Sequence, residues 1–326
     1  MNRDSWFLTL VAILGAYNAG VVWLAQISGY PLWTHVGRGE FLRFYAVWSS
    51  GAWNMIFAPL LLALVGAVIA LLLRPQAVSV WALWLGLALQ LSLVLLTVVW
   101  WSPSASSIAT SDGGLNLAAY ARLMHSHWLR VAMVTVYAAL ACWMLTRNLW
   151  PQQHGSLQTS QRVLLGAVAF GFYGVGQIWL AQSLCYRLWP LVGKATFFAY
   201  QTTWWHSIWF VIFVPSGLAF FAALALPWLR PPSVNISLLW TGLGVQVLLY
   251  VLTAIWWGPL MSRMSTPEQG LSPDNYHLLM TTHWLRVAIV TAYGLVALWT
   301  LVQSADPSRA PSHASADAVI SRQLDR

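Results

Sequence analysis

The chain has 326 residues, of which 59% are hydrophobic and 7% are charged, with a formal net charge of +8. A soluble globular domain carries about 25% charged residues, so this composition excludes a chain whose surface faces water throughout. The basic residues stand singly at the ends of apolar runs, as topology signals and headgroup contacts do, which argues against nucleic-acid binding. The apolar runs are continuous rather than alternating, which predicts membrane-spanning helices and excludes a β-barrel.

Eight apolar runs of helical length follow one another along the chain, in two groups of four. The predicted helices of the first group cover residues 6–28, 44–73, 78–101 and 119–146, and those of the second group cover 163–185, 198–229, 234–257 and 276–303. Arg74-Pro75 and Arg230-Pro231 separate the second and third helices of each group, because proline cannot continue a helix. The first run lacks a convincing signal-peptide cleavage site, so we interpret it as a retained helix.

The second group repeats the first at a constant offset of 156 residues, without a gap. Trp23-Leu24-Ala25-Gln26 returns as Trp179-Leu180-Ala181-Gln182, and the sequence HWLRVA begins at His127 and again at His283. A constant register across loops of different composition indicates a tandem duplication. The predicted organisation is a first repeat over residues 1–146, a linker over 147–161, a second repeat over 162–303 and a disordered polar tail over 304–326.

The fold class that follows is an all-α integral membrane protein with eight transmembrane helices, built as two parallel four-helix repeats with pseudo-twofold symmetry. An even number of helices per repeat places both termini on one side of the membrane. Basic residues are nearly balanced between the two sides; we interpret the termini as cytoplasmic and the membrane as the bacterial inner membrane.

The fourth helix of each repeat carries a tyrosine, a histidine and an arginine on one helical stripe. A fixed cation one turn away from an imidazole favours the neutral imidazole, which can serve as a base or a ligand. In this reading the histidine is the base or ligand, and the arginine holds an anionic oxygen. The candidate catalytic residues are Tyr120, His127, Arg130, Tyr276, His283 and Arg286. The alternative is that arginine and tryptophan near a helix end merely anchor it at the membrane interface.

Polar and aromatic side chains at the level of these histidines suggest a binding pocket for a flat, apolar molecule. The candidate substrate-binding residues are Thr97, Thr253, Trp101, Trp257, Trp128 and Trp284. Two alternatives stay open: the polar residues could form interhelical hydrogen bonds, and the tryptophans, which number 23, could form an interfacial belt.

Four histidines break the repeat: His35, His125, His206 and His277. Three of them are candidate metal ligands, namely His206, His277 and His125. A haem held by histidines from two helices is one alternative, so the cofactor is left open between none, haem and a metal ion. The helices carry almost no carboxylates, which disfavours ion-coupled transport.

Each repeat resembles the anthrone-oxygenase-like family of small membrane proteins, here fused as two copies. The resemblance rests on Pro59 and Pro215 in the second helices, Thr97 and Thr253 near the ends of the third helices, Pro103 and Pro259 just after them, and the Trp-Leu-Arg sequence of the fourth helices. It implies oxidation of a hydrophobic aromatic substrate without an obvious bound cofactor. The chain departs from the family pattern in its duplication and in the histidine that precedes Trp-Leu-Arg.

The leading hypothesis is therefore a membrane oxidoreductase that acts near the outer leaflet on a lipophilic substrate, which is aromatic, quinone-like or isoprenoid-like, or on a lipid. The first alternative is a non-enzymatic subunit or assembly factor that binds a membrane protein partner through its tryptophans. The second is a haem-bearing electron-transfer protein.

Overall fold

The computed structural model describes residues 1–110, 112–150, 159–231 and 234–305. These residues form eight apolar helices long enough to cross a membrane. They are α1 (Arg3–His35), α2 (Phe41–Leu73), α3 (Val80–Ser106), α4 (Leu117–Leu149), α5 (Thr159–Leu191), α6 (Phe197–Leu229), α7 (Ile236–Ser262) and α8 (Pro273–Ser304). Two-residue strands, β1 (Ser265–Thr266) and β2 (Gly270–Leu271), pair between α7 and α8. The predicted all-α membrane fold and number of helices are confirmed.

Most helices extend beyond their predicted bounds. The first helix, for example, was predicted to end at residue 28 but continues to His35. Most of the predicted linker, and all but the start of the predicted tail, fall on 151–158 and 306–326, outside the described residues. We call α1–α4 the first half and α5–α8 the second half. Helices of the second half begin 156 residues after their first-half counterparts, as Arg3 and Thr159 do; common descent and pseudo-twofold symmetry stay predictions.

Helices α1 and α5 cross at the centre of the bundle. At Gly20 of α1 an added Cβ would lie 2.0 Å from the carbonyl oxygen of Tyr173, and at Gly176 of α5 it would lie 2.2 Å from that of Tyr17. Only glycine allows two helix backbones to approach this closely. The remaining helices pack around this pair, with α4 and α2 against α1 and with α8 and α6 against α5.

Six of the helices contain a five-residue π-helical turn. The turns are Ala25–Gly29, Trp53–Phe57, Thr97–Trp101, Ala181–Cys185, Trp209–Phe213 and Thr253–Trp257. In five of the six helices a proline stands two residues after the turn, at positions 31, 59, 103, 215 and 259. Proline has no N–H and its ring collides with the preceding turn, so the helix accommodates it by inserting a residue. All six turns lie toward the end of the bundle that carries the connections 107–116 and 263–272, here called the loop end.

Candidate functional site

A cavity of about 500 Å³ lies at the loop end of the first half, between α1, α2, α3 and α4. Its aromatic wall includes Tyr30, Trp33, Trp48, Trp53, Phe57 and Trp101, and its polar side chains include Thr97, His127 and Arg130. The π-helical turns of α2 and α3 form two of its sides. Small-molecule sites have volumes of about 300–1,000 Å³ and mostly apolar walls with a few convergent polar groups, which describes this cavity.

His127 is held by a glutamine of α1. Its Nδ1 lies 2.9 Å from Oε1 of Gln26, and Nε2 of the same glutamine donates to the carbonyl of Met124 at 3.3 Å. Because the Met124 carbonyl fixes the orientation of the amide, Oε1 faces the imidazole and Nδ1 is the protonated ring nitrogen. The lone pair of the neutral imidazole is therefore on Nε2.

Two donors approach that lone pair. Nη1 of Arg130 lies 2.9 Å from Nε2 of His127, and the hydroxyl of Tyr30 lies 3.3 Å from it. An arginine can only donate, so the contact with Arg130 requires Nε2 to be unprotonated. The site thus holds a neutral imidazole directly against a guanidinium cation.

Arg130 is 4% exposed, and no carboxylate forms an ion pair with it in the described part of the chain, where the ion pairs join Arg3 to Asp4 and Arg38 to Asp112. Its Nη2 donates to Oγ1 of Thr97 at 3.2 Å, and its guanidinium carbon lies 4.2 Å from the ring centroid of Trp101. Cation–π contact stabilises the charge only in part. A buried cation without a counter-ion costs several kcal/mol, so the site is suited to an anion or a strong acceptor.

The second half repeats the histidine–glutamine pair but not the arginine contact. Nδ1 of His283 lies 2.9 Å from Oε1 of Gln182, and Nε2 of the same glutamine donates to the carbonyl of Met280 at 3.2 Å. Within the described residues, however, Nε2 of His283 has no hydrogen-bond partner. Arg286 instead lines a separate cavity of about 40 Å³ between α5, α6, α7 and α8, together with Gln246. The two arginines therefore have different surroundings.

Side-chain size explains why the two halves differ at this level. Three positions that line the first-half cavity carry small side chains, and the positions 156 residues later carry large ones: Ser49 and Trp205, Ala52 and Ile208, Ala105 and Met261. Ile208 and Met261 are buried, so they occupy volume that the first half leaves open. The second half has the same polar residues as the first but less space beside them.

The predicted catalytic and substrate-binding residues have mixed positions. Thr97, Trp101, His127 and Arg130 meet at the cavity, as their spacing predicts. Tyr120 is half-buried and lies outside it. In the second half His283 and Trp257 are in ring contact, their centroids 6.3 Å apart; Thr253 donates to the Leu249 carbonyl, and Tyr276 is half-buried outside the 40 Å³ cavity.

Trp128 and Trp284, predicted to bind substrate, point away from the cavities. They are 46% and 45% exposed and contact Trp23 and Trp179 edge-on, with ring centroids 5.9 and 5.8 Å apart. Adjacent residues of a helix point about 100° apart, so a histidine facing inward turns the next tryptophan outward. Their position favours the alternative reading of membrane anchoring.

The candidate metal ligands His125, His206 and His277 are all exposed, and Nδ1 of His125 bonds to the carbonyl of Ala121 at 2.8 Å. Among the described residues no group of three or more histidine, cysteine or acidic side chains is placed to hold a metal ion. Metal ligation by these histidines stays a prediction, without a cluster to support it.

Among the residues of the site that were not identified from the sequence as functional are Gln26, Tyr30 and Trp33. Each recurs 156 residues later, as Gln182, Tyr186 and Trp189. A glutamine inside an apolar helix, kept in both halves, is the signal that could have pointed to them, because buried amides need polar partners.

Comparison with known proteins supplies no relative from which a function could be transferred. The chain matches no protein-family model, no curated protein and no solved structure. The resemblance to the anthrone-oxygenase-like family stays a prediction that rests on the residues that carry it, and the function is argued below from the site.

Proposed function

We propose that the protein is a membrane oxidoreductase whose lipophilic substrate, aromatic or quinone-like, binds in the first-half cavity. The observation that carries the proposal is the pairing of an unprotonated imidazole nitrogen with a buried guanidinium at 2.9 Å, inside an aromatic cavity of about 500 Å³. The aromatic walls suit a flat ring system, and the two polar groups suit an oxygen on that ring.

The pair can promote proton removal. When the N–H groups of Arg130 turn to a substrate oxygen, Nε2 of His127 is free to accept the proton of a substrate hydroxyl. Arg130 then stabilises the oxyanion in a site with little water, where such a contact is stronger than in solution. With dioxygen as oxidant, a hydroquinone-type substrate gives up two protons and two electrons and becomes a quinone, and dioxygen becomes hydrogen peroxide.

The route into the cavity supports a substrate that is dissolved in the bilayer. The segments Ala58–Leu73 of α2 and Val80–Leu96 of α3 pack against each other, whereas the loop-end segments of the same helices are joined by little more than a 2.8 Å hydrogen bond from Tyr45 to the Ala105 carbonyl. Trp53 and Val98 line the cavity and are 58% and 63% exposed. The opening therefore lies on a helix surface that lipid would cover.

The test is to identify what the cavity holds. Wild-type protein and Ala105→Met, in which the first half acquires the larger residue found at Met261, are purified in detergent. Small molecules extracted from both are compared by mass spectrometry, and the visible spectra are recorded. We expect a lipophilic aromatic or quinone-type compound in the wild type and at least a tenfold smaller amount in the variant. Ser262→Met, at an exposed position of the second half, is the control. Equal ligand content in all three proteins contradicts the proposal.

Of the two alternative functions, the hypothesis of a haem-bearing electron-transfer protein is opposed by the hydrogen bonding of His127. An axial histidine must offer a free lone pair, and that of His127 is engaged by Arg130. The lone pair on Nε2 of His283 has no partner in the described structure, but the ring lies between Tyr186 and Trp257, at centroid distances of 4.9 and 6.3 Å. The visible spectrum tests this reading directly. A subunit role is tested by stable co-purification of another integral membrane protein.

A further inference from the structure

We infer that the first-half cavity selects ligands whose polar end is an anion, a carboxylate or a phenolate, over neutral ligands of the same shape. The inference rests on the proposed binding in this cavity and specifies the class of ligand.

Within the described residues, the two buried polar atoms of the cavity wall that lack a partner are both donors. A guanidinium has five N–H groups, and Arg130 makes two hydrogen bonds, to His127 and Thr97; its Nε has no partner within the described structure. The indole N–H of Trp33, also on the cavity wall, likewise has none among the residues described. Both nitrogens are covered by neighbouring side chains, so a ligand oxygen reaches them when these side chains turn.

The two acceptors that contact Arg130, in contrast, are already used. Nε2 of His127 accepts from Arg130 at 2.9 Å, and Oγ1 of Thr97 accepts from the same side chain at 3.2 Å while donating to the Leu93 carbonyl. A ligand that brings acceptors can pair with these unused donors, whereas a ligand that brings only donors must first displace Arg130 from His127 or Thr97. Polar complementarity alone therefore favours a ligand rich in acceptors.

The charge of the site restricts the class of ligand further. The acidic residues of the described chain stand in the connections or the first turns of helices: Asp4, Glu40, Asp112, Glu268 and Asp274. None of them forms an ion pair with Arg130. A bound anion would supply the missing counter-ion, and its contacts with a guanidinium are stronger than those of a neutral oxygen.

Arg286 offers a control within the same molecule. It is half-buried and lines the 40 Å³ cavity with Gln246, whose Oε1 is an acceptor without a partner in the described residues. The guanidinium of Arg286 thus shares its cavity with a buried, unused amide oxygen, whereas no buried unused acceptor of the described residues lines the cavity of Arg130. Anion selectivity should accordingly depend on Arg130 and not on Arg286.

The experiment compares two probes of nearly equal shape, anthracene-9-carboxylate and its methyl ester. Binding to purified protein in lipid nanodiscs is followed by energy transfer from tryptophan to anthracene. We expect the wild type to bind the carboxylate at least about tenfold more tightly than the ester, which is the size expected of one charge-assisted hydrogen bond. Arg130→Gln should bring the affinities for the two probes to within about threefold of each other, and Arg286→Gln should retain the preference.

Two further variants separate the possible failures. Trp33→Phe keeps the aromatic ring but removes the N–H, so it should weaken binding of the carboxylate more than binding of the ester; it keeps the test valid should Arg130→Gln fail to fold. Equal affinity of the wild type for both probes, with binding of both lost in Ala105→Met, overturns the anion preference and leaves the proposed binding function standing. Binding of neither probe, or binding that Ala105→Met does not weaken, overturns both.

Discussion

His127 and His283 occupy nearly identical frames. Each donates from Nδ1 to a glutamine oxygen at 2.9 Å, and each glutamine is oriented by a methionine carbonyl. The two halves differ at the other ring nitrogen. Nε2 of His127 accepts a hydrogen bond from Arg130, while Nε2 of His283 has no hydrogen-bond donor in the described structure. The comparison teaches that the polar frame alone does not make a site. The first half also needs the space that the small side chains of Ser49, Ala52 and Ala105 leave at its cavity.

Replacing the histidines one at a time should give the largest difference between the halves. We expect His127→Gln to lower the rate of substrate oxidation by about 10²-fold or more, because loss of a general base typically costs 10²–10⁴-fold. His283→Gln should stay within about threefold of the wild type, since its ring does not reach the cavity. The measurement is oxygen uptake with tetramethylhydroquinone as substrate. Equal losses in the two variants would remove the functional distinction between the halves.

Exchanging the small and the large side chain at one pair of equivalent positions should fill the first-half cavity and open space in the second half. Ala105→Met should reduce ligand affinity at least about tenfold by filling the first-half site. Met261→Ala should open space in the second half and, because Met261 is buried, lower the free energy of unfolding by about 2–5 kcal/mol. Probe binding and chemical denaturation check the two parts. A Met261→Ala variant as stable as the wild type would show that this methionine does not fill the space as argued.

The glutamines should be equal in stability but unequal in activity. Gln26→Leu and Gln182→Leu each leave a buried Nδ1–H without an acceptor, which costs about 1–3 kcal/mol. The two hydrogen bonds have the same length, 2.9 Å, so the losses in thermal stability should match. Only Gln26→Leu should also slow oxidation. Without Gln26 the imidazole proton is no longer held on Nδ1, so the lone pair is no longer fixed on Nε2. Activity loss in both variants contradicts this assignment.

The smallest effect is expected in the 107–116 connection. The hydroxyl of Thr110 donates to Asp112, and Arg38 lies 3.0 Å from the same carboxylate. These contacts hold the pKa of Asp112 below its usual value, the hydrogen bond from Thr110 being the larger cause. The contribution of the ionised Asp112 carboxylate to the stability of the fold is present at neutral pH and is lost as the pH falls through the lowered pKa. Because the group is fully exposed, Asp112→Asn should not measurably shift the thermal midpoint at pH 7 or change ligand binding.

The sequence predicted the part of this molecule that depends on hydropathy and helical spacing. Eight helices follow from the length of the apolar runs, and the spacing of His127 and Arg130 places both on one face, with Thr97 at the same level of the next helix. The sequence did not predict Tyr30 and Trp33, because both lie beyond residue 28, where α1 was expected to end. The chain continues there from the π-helical turn Ala25–Gly29 into a short 3-10 helix, Pro31–His35.

The contrast between the halves could not be predicted for a different reason. Exchanges such as Ala52 for Ile208 are visible in the sequence but have meaning only once the helix faces that meet at the cavity are known. The substitution of Ser49 by Trp205 looks like ordinary variation on a lipid-facing surface. Packing, rather than periodicity, determines which of these exchanges closes a site.

Gly20 and Gly176 bring the backbones of α1 and α5 into direct contact midway along both helices. Transporters that work by rocking move one repeat against the other. Here a side chain at Gly20 or Gly176 would collide with the backbone of the opposite helix, so α1 and α5 pack directly against each other. We expect that any movement that admits a ligand to the proposed site occurs in the loop-end segments of α2 and α3 and not between α1 and α5.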